Sequence, residues 1–293
     1  MSGSGQPSFE RPGSLGEATE RLGESSWTIL AGGTDLYPAL ANQVTWSSAT
    51  PQRVLDISAI DELAQIEEPP DGYRIGSLVT WNQICSADLP EWFETLRLAA
   101  RQVGGRQIQN RATLAGNLCN ASPAADGVPP LLALGAEVEL TSHTGVRKLP
   151  LTGFITGNRR TARADQELVS ALCIPHHHAC SRSSFLKLGA RTHLVISIAM
   201  VAGLLEVDES GRILRARVAV GACSEVAQRL GTLENKLAEC RVEDDLGSLV
   251  EEEHLAPLSA IDDVRASAAY RKQAALVILK RTLRELSTGD GDS

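Results

Sequence analysis

The sequence predicts an α+β protein in two parts, and three observations carry that reading. Short apolar runs alternate with amphipathic stretches over residues 1–60, as in a β-α-β unit. From Tyr73 to Pro175 the texture turns to brief strands joined by tight turns, the mark of mostly antiparallel pairing. Beyond residue 178 a strand-rich stretch gives way to helical sequence, so the expected units are 1–178, subdivided near residue 60, and 179–293.

Each element follows in order. The polar start runs into Ser14–Glu24, an amphipathic helix with Ser14 as N-cap and Glu17 three places on, the spacing of a capping box. Trp27–Gly33 is a strand ending in a turn, Leu36–Gln43 a helical piece, and Arg53–Ser58 the next strand. Short strands over Tyr73–Cys85 precede a helix within Leu89–Gly105, then a long Gly/Asn/Ser/Pro loop between Arg106 and Pro130. Pro129–Leu151 holds a helix turn and two strands joined at His143–Val146, where Gly145 can take positive φ. Glu167–Pro175 is one more strand. Ser183–Thr192 and Leu194–Cys223 form a three-stranded antiparallel meander turning at Asp208–Arg212, and Arg229–Cys240 and Ser267–Leu286 are helical.

Composition excludes several function classes. Hydrophobic residues at 43% with aromatics at only 4% predict a core filled by aliphatic side chains. A net charge of −8, with no block of Lys and Arg, argues against nucleic acid as a partner. Met1–Gly16 lacks the apolar centre of a secretory signal, so a cytoplasmic location is expected. Leu194–Leu205 is about 12 residues against the roughly 20 that cross a bilayer, and reads as a buried strand or helix. The six cysteines form no C-x-x-C pair and read mostly as small buried apolar residues.

Two glycine-bearing loops stand out, Ala31–Asp35 (AGGTD) and Thr113–Asn117 (TLAGN). Taken alone, AGGTD fits a plain tight turn. Each loop also fits an anion nest, where small residues let successive N–H groups converge and Thr34, Thr113 and Asn117 add side-chain donors. The first loop lies at a strand-to-helix junction, which favours negative charge. Neither matches the dinucleotide or P-loop signature, so a dinucleotide would lie between two separate loops.

At this point the chain resembles a known family. LAGGTDLYPAL, the run from Gly104 to Leu151, ELVSALCIP and FLKLGARTHLVISIAMVAGLL are, in that order, similar to the FAD-binding subunit of molybdenum hydroxylases, the xanthine, carbon monoxide and nicotinate dehydrogenase relatives. The resemblance runs from about Ser14 to Leu286, with Tyr270–Leu283 matching the closing helix. It implies a vanillyl-alcohol-oxidase (PCMH)-type FAD-binding domain in two subdomains, followed by a C-terminal α+β domain with a three-stranded sheet. It also implies that Ile29, Leu30, Ala31, Gly32, Gly33, Thr34, Asp35 and Leu36, with Thr113, Leu114, Ala115, Gly116 and Asn117, wrap the FAD pyrophosphate. Asp126 matches a cofactor-contacting position, Val169 and Lys187 match positions near the isoalloxazine, and Val103 lines the flavin in some relatives. Molybdopterin cofactor and 2Fe-2S clusters are then expected on a large and a small partner subunit, in a dimer of heterotrimers, with electrons leaving to NAD+, oxygen or another acceptor. No residue of this chain is assigned a catalytic or metal-binding role.

Two departures matter. Ala115 replaces the first glycine of the family's T-I-G-G-N, which fits if its φ is negative, and Gln109 stands where an arginine is usual. No iron–sulfur cluster is expected here, because the cysteines lack the grouping of relatives that carry one. Cys173–Cys180 gathers two Cys and three His in eight residues at a spacing that suits no standard zinc finger, and reads as an exposed loop after a strand. His176–His178 near the flavin's open edge is the functional alternative. The acidic stretch Glu243–Leu255 reads as a solvated face. Competing readings of the whole chain are a stand-alone flavin oxidoreductase and a scaffold subunit without cofactor.

Overall fold

A computed structural model of the chain describes residues 8–38, 53–191 and 194–288. The first layer is a parallel sheet of β1 (Ser8–Glu10), β2 (Thr28–Leu30) and β3 (Arg53–Asp56), in the order β1-β3-β2. The two expected strands are present and pair in parallel, and β1 is an addition: the polar composition of the chain's start concealed a strand too short to show alternation. The helix Leu15–Glu24 connects β1 to β2 and buries Ala18, Thr19 and Leu22 against Trp27, Leu55 and Leu63. Ser14 caps it, its hydroxyl accepting from the Glu17 amide at 3.2 Å. Glu17 does not close the box; its carboxylate accepts instead from the Gly13 amide at 2.8 Å. The expected helix Leu36–Gln43 is helical over residues 36–38, and its remainder lies outside the described residues.

The second layer contains β4 (Ile66–Glu67), β5 (Gly72–Gly76), β6 (Glu137–Ser142) and β7 (Gly145–Pro150). A two-stranded ribbon, β8 (Ile155–Gly157) and β9 (Arg160–Thr161), precedes the central strand β10 (Leu168–Pro175). The sheet order is β4-β5-β10-β6-β7, antiparallel throughout. Two expectations fail here. Trp81–Ser86 is a helix, not a strand: Thr80 and Gln83 form a complete capping box, and Trp81 and Ile84 bury one helical face. The presumed loop 106–130 contains the helices Arg106–Gln109 and Leu114–Asn120 and the start of Val128–Ala133. Their Gly, Asn and Pro residues argue for loop, but Leu114, Leu118 and Leu131 are fully buried, and prolines in a first turn forfeit no hydrogen bond.

The C-terminal sheet is an antiparallel meander of β11 (Arg182–Leu188), β12 (Ala199–Val207), β13 (Ile213–Gly221) and β14 (Gln228–Arg229). It has four strands rather than three; β14 is two residues long and leaves no periodic trace, and Arg229 is fastened by Glu234 at 2.6 Å. β12 explains the apolar run after Leu194. Met200, Ala202 and Leu204 face the core of the first part, while Ala199, Val201 and Leu205 face the helix Ala268–Thr288, so both sides of the strand are covered. No helix among the described residues is long and apolar enough to cross a membrane. Of the six cysteines only Cys223 is buried; Cys119 and Cys180 are exposed and the other three intermediate, so the expectation of mostly buried cysteines is corrected.

Candidate functional site

β2 ends at Leu30, and the chain turns through Ala31–Asp35 before regaining helical backbone at Leu36. Gly33 has φ +75°, and its carbonyl accepts from the Tyr37 amide at 3.1 Å, which closes the turn. Gly32 is required for a different reason. A Cβ there would lie 1.9 Å from the backbone carbonyl oxygen of Arg111, because the two loops press against each other.

The second loop is held by the helix before it. The Trp81 amide donates to Ala112 at 3.2 Å and the Leu114 amide to Val79 at 3.0 Å. Thr113 then caps Leu114–Asn120, its hydroxyl accepting from Gly116 at 3.0 Å and its carbonyl from Asn117 at 3.1 Å. Ala115 sits in the first helical turn with negative φ, where a methyl group is at ease. Among the described residues its N–H has no acceptor, and neither have those of Gly32, Gly33 and Thr34. Unpaired amides on both loops suit an anion.

These loops wall a cleft of about 500 Å³ within the usual range for a ligand site. The cleft brings together Ile29–Leu36, Val103, Thr113, Ala115, Gly116, Asn117 and Val169. Three expected residues are elsewhere. Leu114 is fully buried in the core, on the helical face it shares with Leu118. Asp126 and Lys187 lie off the cleft wall, in a buried ion pair of 2.6 Å that Ser197 completes by donating to Asp126 at 2.7 Å. Gln109 donates to the Val103 carbonyl at 3.1 Å, so the residue in the arginine position fastens the Val103 loop.

Sequence reasoning missed part of the lining. Ser77 and Trp81 lie on the wall, and their buried Oγ and Nε1 atoms have no partner among the described residues, which leaves them available to a ligand. At a polar stretch of the wall Asn120 donates to Asp35 at 2.8 Å and accepts from Arg159, a residue with φ +59°. Asn120 follows Gly116 and Asn117 at helical spacing, a signal that was readable; nothing in sequence points to Ser77. Cys119 is exposed and opens onto the cleft. Arg163 also lines the wall and donates to the carbonyl of Glu167 at 2.7 Å.

The histidine cluster is not at the cleft. His177 is buried, its ring nitrogens lying 3.2 Å from a Glu206 carboxylate oxygen and 3.0 Å from the Leu134 carbonyl, edge-on to Trp92. It joins the two parts of the chain, and none of the three histidines lines the cleft. His176 and His178 are exposed.

Both parts of the chain resemble known proteins. Residues 5–177 match the family model described as the FAD binding domain in molybdopterin dehydrogenase, and residues 184–286 match the CO dehydrogenase flavoprotein C-terminal domain. The nicotine 6-hydroxylase medium subunit of Paenarthrobacter nicotinovorans is 29% identical over 94% of this chain and 96% of that protein. The nicotinate dehydrogenase FAD-subunit of Eubacterium barkeri is 36% identical over 62% of each. Among solved structures, the carbon monoxide dehydrogenase of Hydrogenophaga pseudoflava that lacks the Mo-pyranopterin moiety superposes with a TM-score of 0.86 at 25% identity, covering 95% of this chain and 96% of that one.

Proposed function

The chain belongs to the FAD-binding family of molybdopterin dehydrogenases, and from that premise we propose that it is the electron-transfer subunit of a heterotrimeric molybdenum hydroxylase. The single observation that carries the reading is the two-loop cleft, with unpaired amides at Gly32, Gly33, Thr34 and Ala115 and partnerless buried atoms on Ser77 and Trp81. Those residues fit FAD. The amides would receive the pyrophosphate, and the aliphatic walls of Ile29, Leu30, Ile57 and Val169 would exclude water from the ring system. FAD held there would supply the redox chemistry that links 2Fe-2S clusters of a small partner subunit to NAD+, oxygen or another acceptor, with substrate hydroxylation on a large molybdopterin subunit.

In this reading the Lys187–Asp126 pair is a buried, compensated charge off the cleft wall. Leu114 acts through packing, and Val103 through the loop that Gln109 fastens. The unit boundary falls near residue 178, the location is cytoplasmic, and the assembly is a dimer of heterotrimers.

The test is spectroscopic. The chain purified within its native complex is expected to show a flavin spectrum and to release FAD on heating. A colourless complex overturns the reading, and substrate turnover by the isolated FAD-loaded chain replaces it with a stand-alone oxidoreductase.

A further inference from the structure

The first loop carries its unpaired amides between two anchors. At Gly32 it is pressed against the backbone carbonyl of Arg111. At Asp35 its carboxylate accepts from the Asn120 side-chain amide at 2.8 Å. Among the described residues, no other hydrogen bond joins residues 29–36 to the helix Leu114–Asn120 that grows from the second loop. The free N–H groups of Gly33 and Thr34 thus lie on a stretch held by a packed contact at one end and by a side-chain bond at the other. A donor array fixed at both ends meets an anion at a smaller ordering cost than one fixed at one end.

A second bond aims Asn120 at Asp35. Arg159 donates to Asn120 Oδ1, so the side-chain amide stands between a guanidinium and a carboxylate. A guanidinium only donates and a carboxylate only accepts, which fixes the amide with its oxygen to Arg159 and its nitrogen to Asp35. Arg159 sits at the tip of the β8–β9 ribbon with φ +59°, and Ala121, next to Asn120, has φ +45°. The Arg159 amide donates to the Ala121 carbonyl at 2.9 Å and ties these two left-handed residues together. Neither residue type adopts such a backbone readily, so the surrounding contacts must hold it. From the other side the tip is steadied by Glu225 of the C-terminal part, which accepts from the Asn158 amide at 3.0 Å and from Arg160 at 3.4 Å.

We propose that Asn120 and Arg159 are positioning residues of the cofactor site: with Asp35 they form a latch that holds the amides of the first loop in place for the FAD pyrophosphate and slows the release of FAD. The inference rests on the FAD reading of the cleft and assigns Asn120 and Arg159 no step of the reaction. All three residues line the cleft. Asp35 and Arg159 are exposed and Asn120 is half-buried, so the latch opens without disturbing the core.

The experiment measures the rate at which FAD leaves the native complex in the presence of an apoflavoprotein trap. It compares the unaltered protein with Asn120→Asp, Arg159→Ala and the double variant Asp35→Asn/Asn120→Asp. Asn120→Asp sets a carboxylate against Asp35 and is expected to speed release by about fivefold or more. Arg159→Ala frees the Asn120 amide to turn and is expected to speed release by about threefold. The double variant exchanges donor and acceptor across the same gap and keeps an acceptor for Arg159, so it is expected to release FAD within about twofold of the unaltered rate. An unchanged rate in either Asn120→Asp or Arg159→Ala overturns the latch. So does a double variant that releases FAD as fast as Asn120→Asp, which would reduce Asn120 to a structural role in its helix. A native complex that contains no FAD overturns the electron-transfer reading itself, and the latch with it.

Discussion

At Gly32 and Gly33 two adjacent glycines answer to different constraints. Gly33 needs its freedom for a backbone of φ +75°, and Gly32 needs the absence of a Cβ because the Arg111 carbonyl occupies that space. Gly32→Ala must push two backbones apart, and is expected to lower the unfolding free energy by about 1–3 kcal/mol and to lower FAD retention, both read from thermal unfolding and released cofactor. Ala115→Gly restores the family's usual residue but places glycine in a helical turn. It is expected to cost about 1 kcal/mol with FAD content unchanged. The residue types were legible from the sequence, as was the anion-nest alternative for AGGTD. That Gly32 is fixed by protein contact was not, because Arg111 is far away along the chain.

Between β7 and β10 an ion pair ties one strand to the turn before the other. Arg147 donates to Glu167 through Nε at 2.6 Å and through a terminal nitrogen at 2.8 Å, and the Ala164 amide donates to the same carboxylate at 2.8 Å. Arg147 first, and then the amide, hold the Glu167 carboxyl below its ordinary range, although burial acts the other way. A carboxylate whose folded pKa is lowered stabilises the fold above its unfolded value, and that contribution is lost as pH falls through the folded value. Glu167→Gln is therefore expected to cost about 1–2 kcal/mol at neutral pH and to make acid unfolding below about pH 4 less steep, followed by circular dichroism. The elements around this pair show what the sequence signals and what it hides. Glu167–Pro175 reads as a strand because it alternates little and is bounded by turn residues; β10 is buried at the sheet centre. The helices within 106–130 were hidden because weak helix formers dominate them and buried leucines decide the outcome.

Across the whole molecule, one face of the C-terminal sheet belongs to the core of the first part. Phe185, Met200, Ala202 and Leu204 pack with the residues around Trp81, Trp92 and Phe93. His177 adds a buried polar tie, and Glu206 is held below its ordinary range first by His177 and then by Arg217, against the opposing effect of burial. Calorimetry of the full chain is accordingly expected to show one cooperative transition. Two separate transitions would mean that the shared core contributes little.

The sequence by itself determined which residue types sit in the two loops, that an α+β chain of aliphatic core forms, and the family resemblance on which FAD was expected. Local chemistry is enough for that, because caps, turns and apolar periodicity act within a few residues. Only the tertiary structure decided that Leu114 turns to the core, that Lys187 and Asp126 pair off the cleft wall, and that Ser77, Trp81, Asn120 and Arg159 complete that wall. Each of these depends on which surfaces meet when strands from distant positions pair.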